Sequence, residues 1–264
     1  MFLVDVHAHL THELFKKDLN DVLERAKAAG VKAIVVNGVN EPTNREVLEL
    51  AKKHPLIKPA LGAYPIDALG LDLEGESGLT RPMHPINLDK EIEFIKSQKD
   101  KIVGIGEVGL DYKFVTDPAL QKKMRENFEK IIALAEKIKK PLIVHTRNAE
   151  KDVIDMLESS NAKKVDLHSF GARKSVARKA ADLGFYTSVP PVCVRLQHYE
   201  MIVNVFGINQ LLTETDSPWL GPVAGERNEP KNVLESVKFI AKQKKFDVEE
   251  VANNVWLNYQ RLFG

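Results

Sequence analysis

Two kinds of segment alternate along the chain. Short apolar, β-branched runs recur at 2–6, 31–36, 57–61, 102–105, 141–144, 164–167, 185–189 and 210–212. Between them lie longer stretches whose apolar residues fall three and four apart. The clearest spans 120–138, with Met124, Phe128, Ile131, Ile132, Ala135 and Ile138 on one stripe and lysines and glutamates opposite. Near-continuous apolar strands separated by amphipathic helices are the sequence form of a parallel sheet covered by helices. Eight strands, each followed by a helix, predict an α/β fold of the (β/α)8 TIM-barrel type, which takes ~250 residues. The rival, a doubly wound open sheet, lacks its Gly-rich first βα turn here. No linker or repeat interrupts the pattern, so residues 1–264 are expected to form a single domain.

One stretch departs from the rhythm. Residues 64–87 carry prolines, glycines and acids with little periodicity, and are expected to form a long loop after the third strand. Asp67, Asp72, Glu74 and Glu76 in it would repel a polyanion if they faced the active end of the barrel.

In such barrels, function gathers at the carboxyl ends of the strands. Of the eight histidines, His7 and His9 end the first strand, His145 ends the fifth and His168 the sixth. Glu107 follows the fourth strand and Asp216 the eighth. Each alone has a structural reading: a capping histidine, a loop acid, a helix N-cap. Together, four imidazoles and two carboxylates from five strands point to one mouth, and metal binding is the chemistry they share. Nitrogen and carboxylate donors without thiolate suit Zn, Mn, Ni, Co or Mg rather than a structural zinc site. Six ligands exceed what one catalytic ion with an open position uses, so they divide between two divalent metal ions. Paired ions of that kind serve hydrolysis.

Composition narrows the setting. Apolar residues make up 44% and charged residues 28%, ordinary for a globular protein, which excludes a disordered or low-complexity chain. Lysine and arginine number 38 against 37 acids, so nucleic-acid contact would come from a local patch rather than from bulk charge. No run is apolar enough to cross a bilayer, the start of the chain shows no export signal, and the single cysteine, Cys193, fits a reducing compartment. The expected setting is a cytoplasmic monomer with no membrane partner.

The succession Asp5-Val6-His7-Ala8-His9-Leu10, Gly106-Glu107-Val108-Gly109-Leu110-Asp111, His145-Thr146-Arg147, Leu167-His168-Ser169-Phe170-Gly171 and Glu214-Thr215-Asp216-Ser217-Pro218-Trp219-Leu220 closely resembles the TatD family of metal-dependent nucleases, within the amidohydrolase superfamily. The resemblance implies a distorted barrel with the metal site at the carboxyl face, and divalent-metal-dependent phosphodiester hydrolysis, commonly exonucleolytic on DNA. It implies one ion on His7, His9 and Asp216, a second on His145 and His168, and Glu107 bridging both. Asp216 would double as proton acceptor, making Asp216 and Glu107 the catalytic pair. Arg147 would present its planar fork to a phosphate, and Asn228, in Arg227-Asn228-Glu229-Pro230, would lie near substrate. Tyr64 stands where many relatives carry a histidine that contacts phosphate. Glu214 is expected to support a ligand histidine. Trp219 and Phe170 are expected to pack in the core, with base stacking the functional alternative. A metal-dependent amide, ester or lactone hydrolase is the competing reading. A barrel that has lost catalysis and only binds partners is the third, and the presence of all six ligand candidates argues against it.

Overall fold

The computed structural model describes residues 1–71 and 85–264. Eight parallel strands run in sequential order: β1 (Leu3–Ala8), β2 (Val31–Asn37), β3 (Ile57–Leu61), β4 (Gly104–Asp111), β5 (Leu142–Arg147), β6 (Val165–His168), β7 (Tyr186–Val189) and β8 (Leu211–Thr213). The ring is joined between β1 and the segment after β8. Ala8 bridges Ser217 in parallel, Asp216 N donates to His7 O at 2.8 Å, and Thr213 Oγ1 donates to Val4 O at 2.7 Å. The predicted (β/α)8 barrel is the observed fold.

Helices follow the strands as the periodicity requires: α1 (Leu19–Ala28), α2 (Glu41–Lys53), α3 (Pro65–Leu69), α4 (Leu88–Ser97), α5 (Pro118–Ile138), α6 (Glu150–Glu158), α7 (Lys174–Asp182), α8 (His198–Val205), α9 (Val233–Lys244) and α10 (Val248–Phe263). The stripe expected on α5 is its buried face, from Met124 through Phe128, Ile131 and Ile132 to Ala135. Pro118 begins the helix and Asp117 caps it by accepting from Ala119 N and Leu120 N, which satisfies amides that no helical carbonyl can reach. The stretch after β3 is not structureless throughout, since Pro65–Leu69 form α3 and Asp67 is buried there. Asp72, Glu74 and Glu76 lie outside the described residues.

Two irregularities position the functional end. The β1–β2 register shifts between Asp5 and Ala8, and the β4–β5 register shifts between Ile105 and Val108. These breaks enclose His7 and Glu107. An irregular strand re-aims side chains that strict alternation would send elsewhere. It also lengthens β4, which was expected to end at Ile105 and instead runs to Asp111, so Glu107 lies within the strand. Gly62 makes this possible: a Cβ there would sit 2.4–2.5 Å from the backbone of Glu107 and 2.5 Å from Gly106 C. Asn44 holds the same loop, donating to Gly62 O at 2.8 Å and accepting from Gly62 N at 3.0 Å.

Gly62→Ala is therefore expected to lower unfolding stability by about 1–3 kcal/mol, the usual cost of forcing atoms into a packed site. It should also displace Glu107. Urea denaturation and metal titration of the same variant check both effects.

Candidate metal centre

The strand ends bring all six predicted ligand residues together. His7 and His9 come from β1 and the residue after it, Glu107 from β4, His145 from β5, His168 from the last position of β6, and Asp216 from the turn after β8. Several of these exits turn sharply: Asn148, Ser169 and Asp216 adopt left-handed backbone at φ 56°, 45° and 51°. Left-handed geometry is costly for residues other than glycine and persists only where neighbours hold it. For Asp216 the holding bonds are on either side: its own N–H to His7 O, Trp219 N to its carbonyl at 2.9 Å, and Asn228 Nδ2 to Thr215 O at 2.7 Å.

The Glu107 carboxylate divides the group in two. Its Oε2 lies 3.6 Å from His7 Nε2 and 3.2 Å from His9 Nε2, and Asp216 Oδ1 lies 3.4 Å from each of those nitrogens. Its Oε1 lies 3.0 Å from His145 Nδ1 and 3.1 Å from His168 Nε2. The His7 and His9 Nε2 atoms face each other at 3.0 Å, and His145 Nδ1 faces His168 Nε2 at 3.3 Å. Within the triads His7–His9–Glu107 and Glu107–His145–His168, the donor atoms lie within 4.8 Å of one another. Ring nitrogens aimed at each other beside a shared carboxylate, with no thiolate, form a donor set that fits divalent cations.

Electrostatics follow from burying these groups together. Burial alone would push the His9 imidazole down, but Asp216 and Glu107 outweigh it and raise it to about 9. His168 rises well above its ordinary value against the same penalty, through Glu107 and Glu214, and His145 rises through Asp111 and Glu107. Conversely, burial disfavours the Glu107 charge, yet His168, His145 and His7 hold it well below the usual carboxylate range. Asp216 is held down against burial by His7 and His9. Glu107 and Asp216 are thus ionised, and His9, His145 and His168 are shifted toward holding compensating protons, which a cation would displace.

A second layer orients the first. Asp111 Oδ2 lies 3.0 Å from His145 Nε2, and Asp111 Oδ1 accepts from Lys113 N and Phe114 N. Sequence reasoning assigned Asp111 no role, although period two places it on the face of Glu107 beyond the bulge. Glu214 Oε2 lies 3.6 Å from His168 Nδ1, facing the ligand ring at ion-pair range but beyond hydrogen-bond length. It also accepts from Ser188 Oγ at 2.6 Å, and the same hydroxyl lies 3.0 Å from Asp166 Oδ2. One hydroxyl hydrogen cannot serve two ionised carboxylates. The arrangement closes when Asp166 keeps its proton, and burial with the Glu214 charge beside it pushes Asp166 up to about 8. Asp5, at the base, accepts from His7 N at 3.2 Å and Thr215 N at 2.9 Å, tying β1 to the Asp216 turn.

The expected substrate contacts fall in different places. Arg147 is at the rim with its side chain 40% exposed, its guanidinium 5.1 Å from the Phe114 ring centre and Nε 3.8 Å from Asp111 Oδ2. Tyr64 is largely buried, its ring edge-on to His145 at 5.0 Å and its hydroxyl 3.4 Å from Asp111 Oδ2. Asn228 is not brought to the surface: besides bonding Thr215 O, it accepts from Glu229 N and Asn232 Nδ2. Arg227 pairs with Asp18 and Glu229, clasping this loop to α1. Phe170 is fully buried, as expected, but Trp219 is 38% exposed.

The TatD related DNase family model matches residues 4–264. Deoxyribonuclease TATDN3 of Homo sapiens is 35% identical over 264 residues, an alignment covering 99% of this chain and 94% of that protein. The uncharacterized metal-dependent hydrolase YabD of Bacillus subtilis (strain 168) is 34% identical over 269 residues, covering 99% and 98%. Among solved structures, the TatD homolog YJJV of Escherichia coli k12 matches with a TM-score of 0.84 at 23% identity, covering 99% of this chain and 97% of that one. On the family match across nearly its whole length, this chain belongs to the TatD related DNase family.

Proposed function

We propose that the protein hydrolyses phosphodiester bonds in DNA using two divalent metal ions, with residues 1–264 acting as one catalytic unit. The observation that carries this reading is the division of Glu107, one carboxylate oxygen toward His7 and His9 and the other toward His145 and His168. His7, His9 and Asp216 would hold one ion, His145 and His168 the other, with Glu107 shared. When bound, such ions acidify water at neutral pH and polarise a phosphoryl oxygen. All six groups come from one chain, which supports a monomer as the working unit, and the lone cysteine accords with a cytoplasmic setting. Among the described residues, no helix is long and apolar enough to cross a membrane.

The chain's own residues supply the rest. Asp216 is kept ionised, and its side chain, 15% exposed against 0–7% for the other five, is the most open to the mouth. It is placed to accept the proton of the attacking water. Asp111 and Glu214 fix the rings of His145 and His168. Arg147 orients a non-bridging phosphate oxygen from the rim with its planar fork. Tyr64 stands beside His145 where many relatives carry an imidazole, and its hydroxyl would have to turn from Asp111 Oδ2, 3.4 Å away, to donate to the substrate.

Labelled oligonucleotides are expected to be cut with added Mn²⁺ or Mg²⁺ and to stay intact with chelator. A folded Glu107→Ala protein should lose activity by about 10²-fold or more, in the range for removing a group that acts on the reacting centre. Oligonucleotides left whole in every metal, while a small ester or amide is turned over, would show the competing hydrolase reading to be correct.

The metal-free protein should show a distinct pH response. The folded His9 pKa of about 9 exceeds its ordinary 6.5. Its contribution is therefore complete below about pH 6.5 and disappears as pH rises through 9. Glu107 and Asp216 are shifted down, so their contribution fades instead as pH falls below the carboxylate range. Thermal melts from pH 6 to 10 should fall with pH for the metal-free form. The metal-loaded form should hold its stability, because ions bind imidazoles that have lost their protons.

Asp111→Asn tests the second layer. Loss of a carboxylate behind a ligand histidine typically weakens metal affinity about 10–100-fold. Calorimetric metal titration should show that loss with the fold retained.

A further inference from the structure

Trp219 sits where the apolar and the charged parts of the mouth meet. Its ring lies 5.4 Å from His9 at 65° and 5.3 Å from His12 at 88°, both edge-to-face, yet over a third of the residue remains open to solvent. It follows directly on the turn that presents Asp216, its N–H bonded to Asp216 O. Exposed Leu14 and Val223 lie in the segments after β1 and β8, which meet at the Ala8–Ser217 bridge. The opposite flank, at the ends of β4 and β5, carries cations instead: Lys113 Nζ and Arg147 Cζ both lie over the Phe114 ring, 5.4 Å and 5.1 Å from its centre. A ligand fitting both flanks has an anionic backbone joined to a flat apolar group, which is the chemistry of a nucleotide chain.

We infer that Trp219 is a stacking platform for the nucleobase next to the bond cut at the His7–His9–Asp216 side of the centre. This rests on the phosphodiesterase reading above and adds to it a base requirement. Stacking on an indole tolerates any base, since every base presents a π-face, so the platform calls for a base without choosing among them. It also calls for one outside the stack, because a base inside a duplex has both faces covered by its neighbours. Single-stranded or frayed ends are the substrates it fits. Trp219 touches His9 as well, so a purely packing role must be separated from stacking.

Kinetics on thymidine oligonucleotides and on oligonucleotides of the same length built from abasic residues make the separation. The wild type should show KM about tenfold or more higher on the abasic chain, the scale of one lost base–aromatic stack. Trp219→Ala should raise KM on the thymidine chain by a similar factor with kcat nearly unchanged, and Trp219→Phe should restore most of it. On the abasic chain the wild type and Trp219→Ala should be equal. A variant that lowers kcat equally on both chains would mean that Trp219 only packs against His9, and the platform would be rejected.

Fluorescence decides the matter without turnover. The chain has two tryptophans, and Trp256 packs edge-on against Phe2 at 5.7 Å, on the amino side of β1. In metal-loaded Trp256→Phe protein, a phosphorothioate thymidine trinucleotide should quench Trp219 and its abasic counterpart should not. Absence of quenching overturns the platform whether or not oligonucleotides are cut. Quenching without cleavage of any oligonucleotide in any divalent metal keeps the platform and overturns the phosphodiesterase reading.

Discussion

The structure is organised around one buried carboxylate. Glu107 is in contact with four imidazoles and stays ionised far from bulk water. Burying charge is costly unless partners replace the lost hydration, and here each partner is itself titratable and buried. The imidazoles can neutralise Glu107 and Asp216 only by holding protons or by sharing a cation. A cluster of this kind has no stable form as a loose loop. It requires rigid strand ends, and the barrel supplies them from five strands.

The requirement propagates outward. His145 is held by Asp111, which is itself pinned by two backbone amides. His168 faces Glu214, and Glu214 is held through Ser188 by an Asp166 that keeps its proton. Asp5, its pKa raised by burial, ties the His7 backbone to Thr215. Acids and hydroxyls stand behind the ligand residues layer on layer, and the interior near the carboxyl end is consequently polar where barrels usually pack branched aliphatics. Stability is spent there on orientation, and the aliphatic clusters between strands and helices, among them Ile34, Leu61, Val144, Ile202 and Val237, supply the compensating burial.

The parts legible in the sequence are those set by local pattern. The eight strands and α5 follow from periodicity, and the six cluster residues stand out because histidines and acids cluster at strand ends. What escaped is what non-local geometry decides. Glu107 lies inside β4 because a register break, with Gly62 close against it, lengthens the strand; no period in 102–111 announces that. Asp111 resembles any loop acid until the fold sets it against His145. Asn228 and Arg227 sit in a polar loop whose sequence suits a substrate contact equally well, and only the approach of α1 and Thr215 turns them inward. Trp219 reads as core from its hydrophobicity, but on the turn carrying Asp216 the residue is left over a third exposed among the described residues.

The two halves of the cluster are not equivalent. Under the proposed assignment, the His7–His9 side has Asp216 to itself and a share of Glu107, whereas the His145–His168 side has only its share. With the same number of imidazoles, the first side concentrates more negative charge and retains a cation more strongly, in line with the dependence of affinity on ligand charge and type. Asp111 offsets part of the difference from behind, by increasing the basicity of His145 rather than by adding a ligand. The more weakly held position is also the one flanked by Arg147, so a phosphate arriving there meets a guanidinium whether or not that ion is in place. The richer position borders Trp219 and the apolar rim. Were two ions bound as proposed, charge balance alone would give the mouth a direction, with the more firmly held one beside the aromatic ring and the more exchangeable one beside the fixed cation.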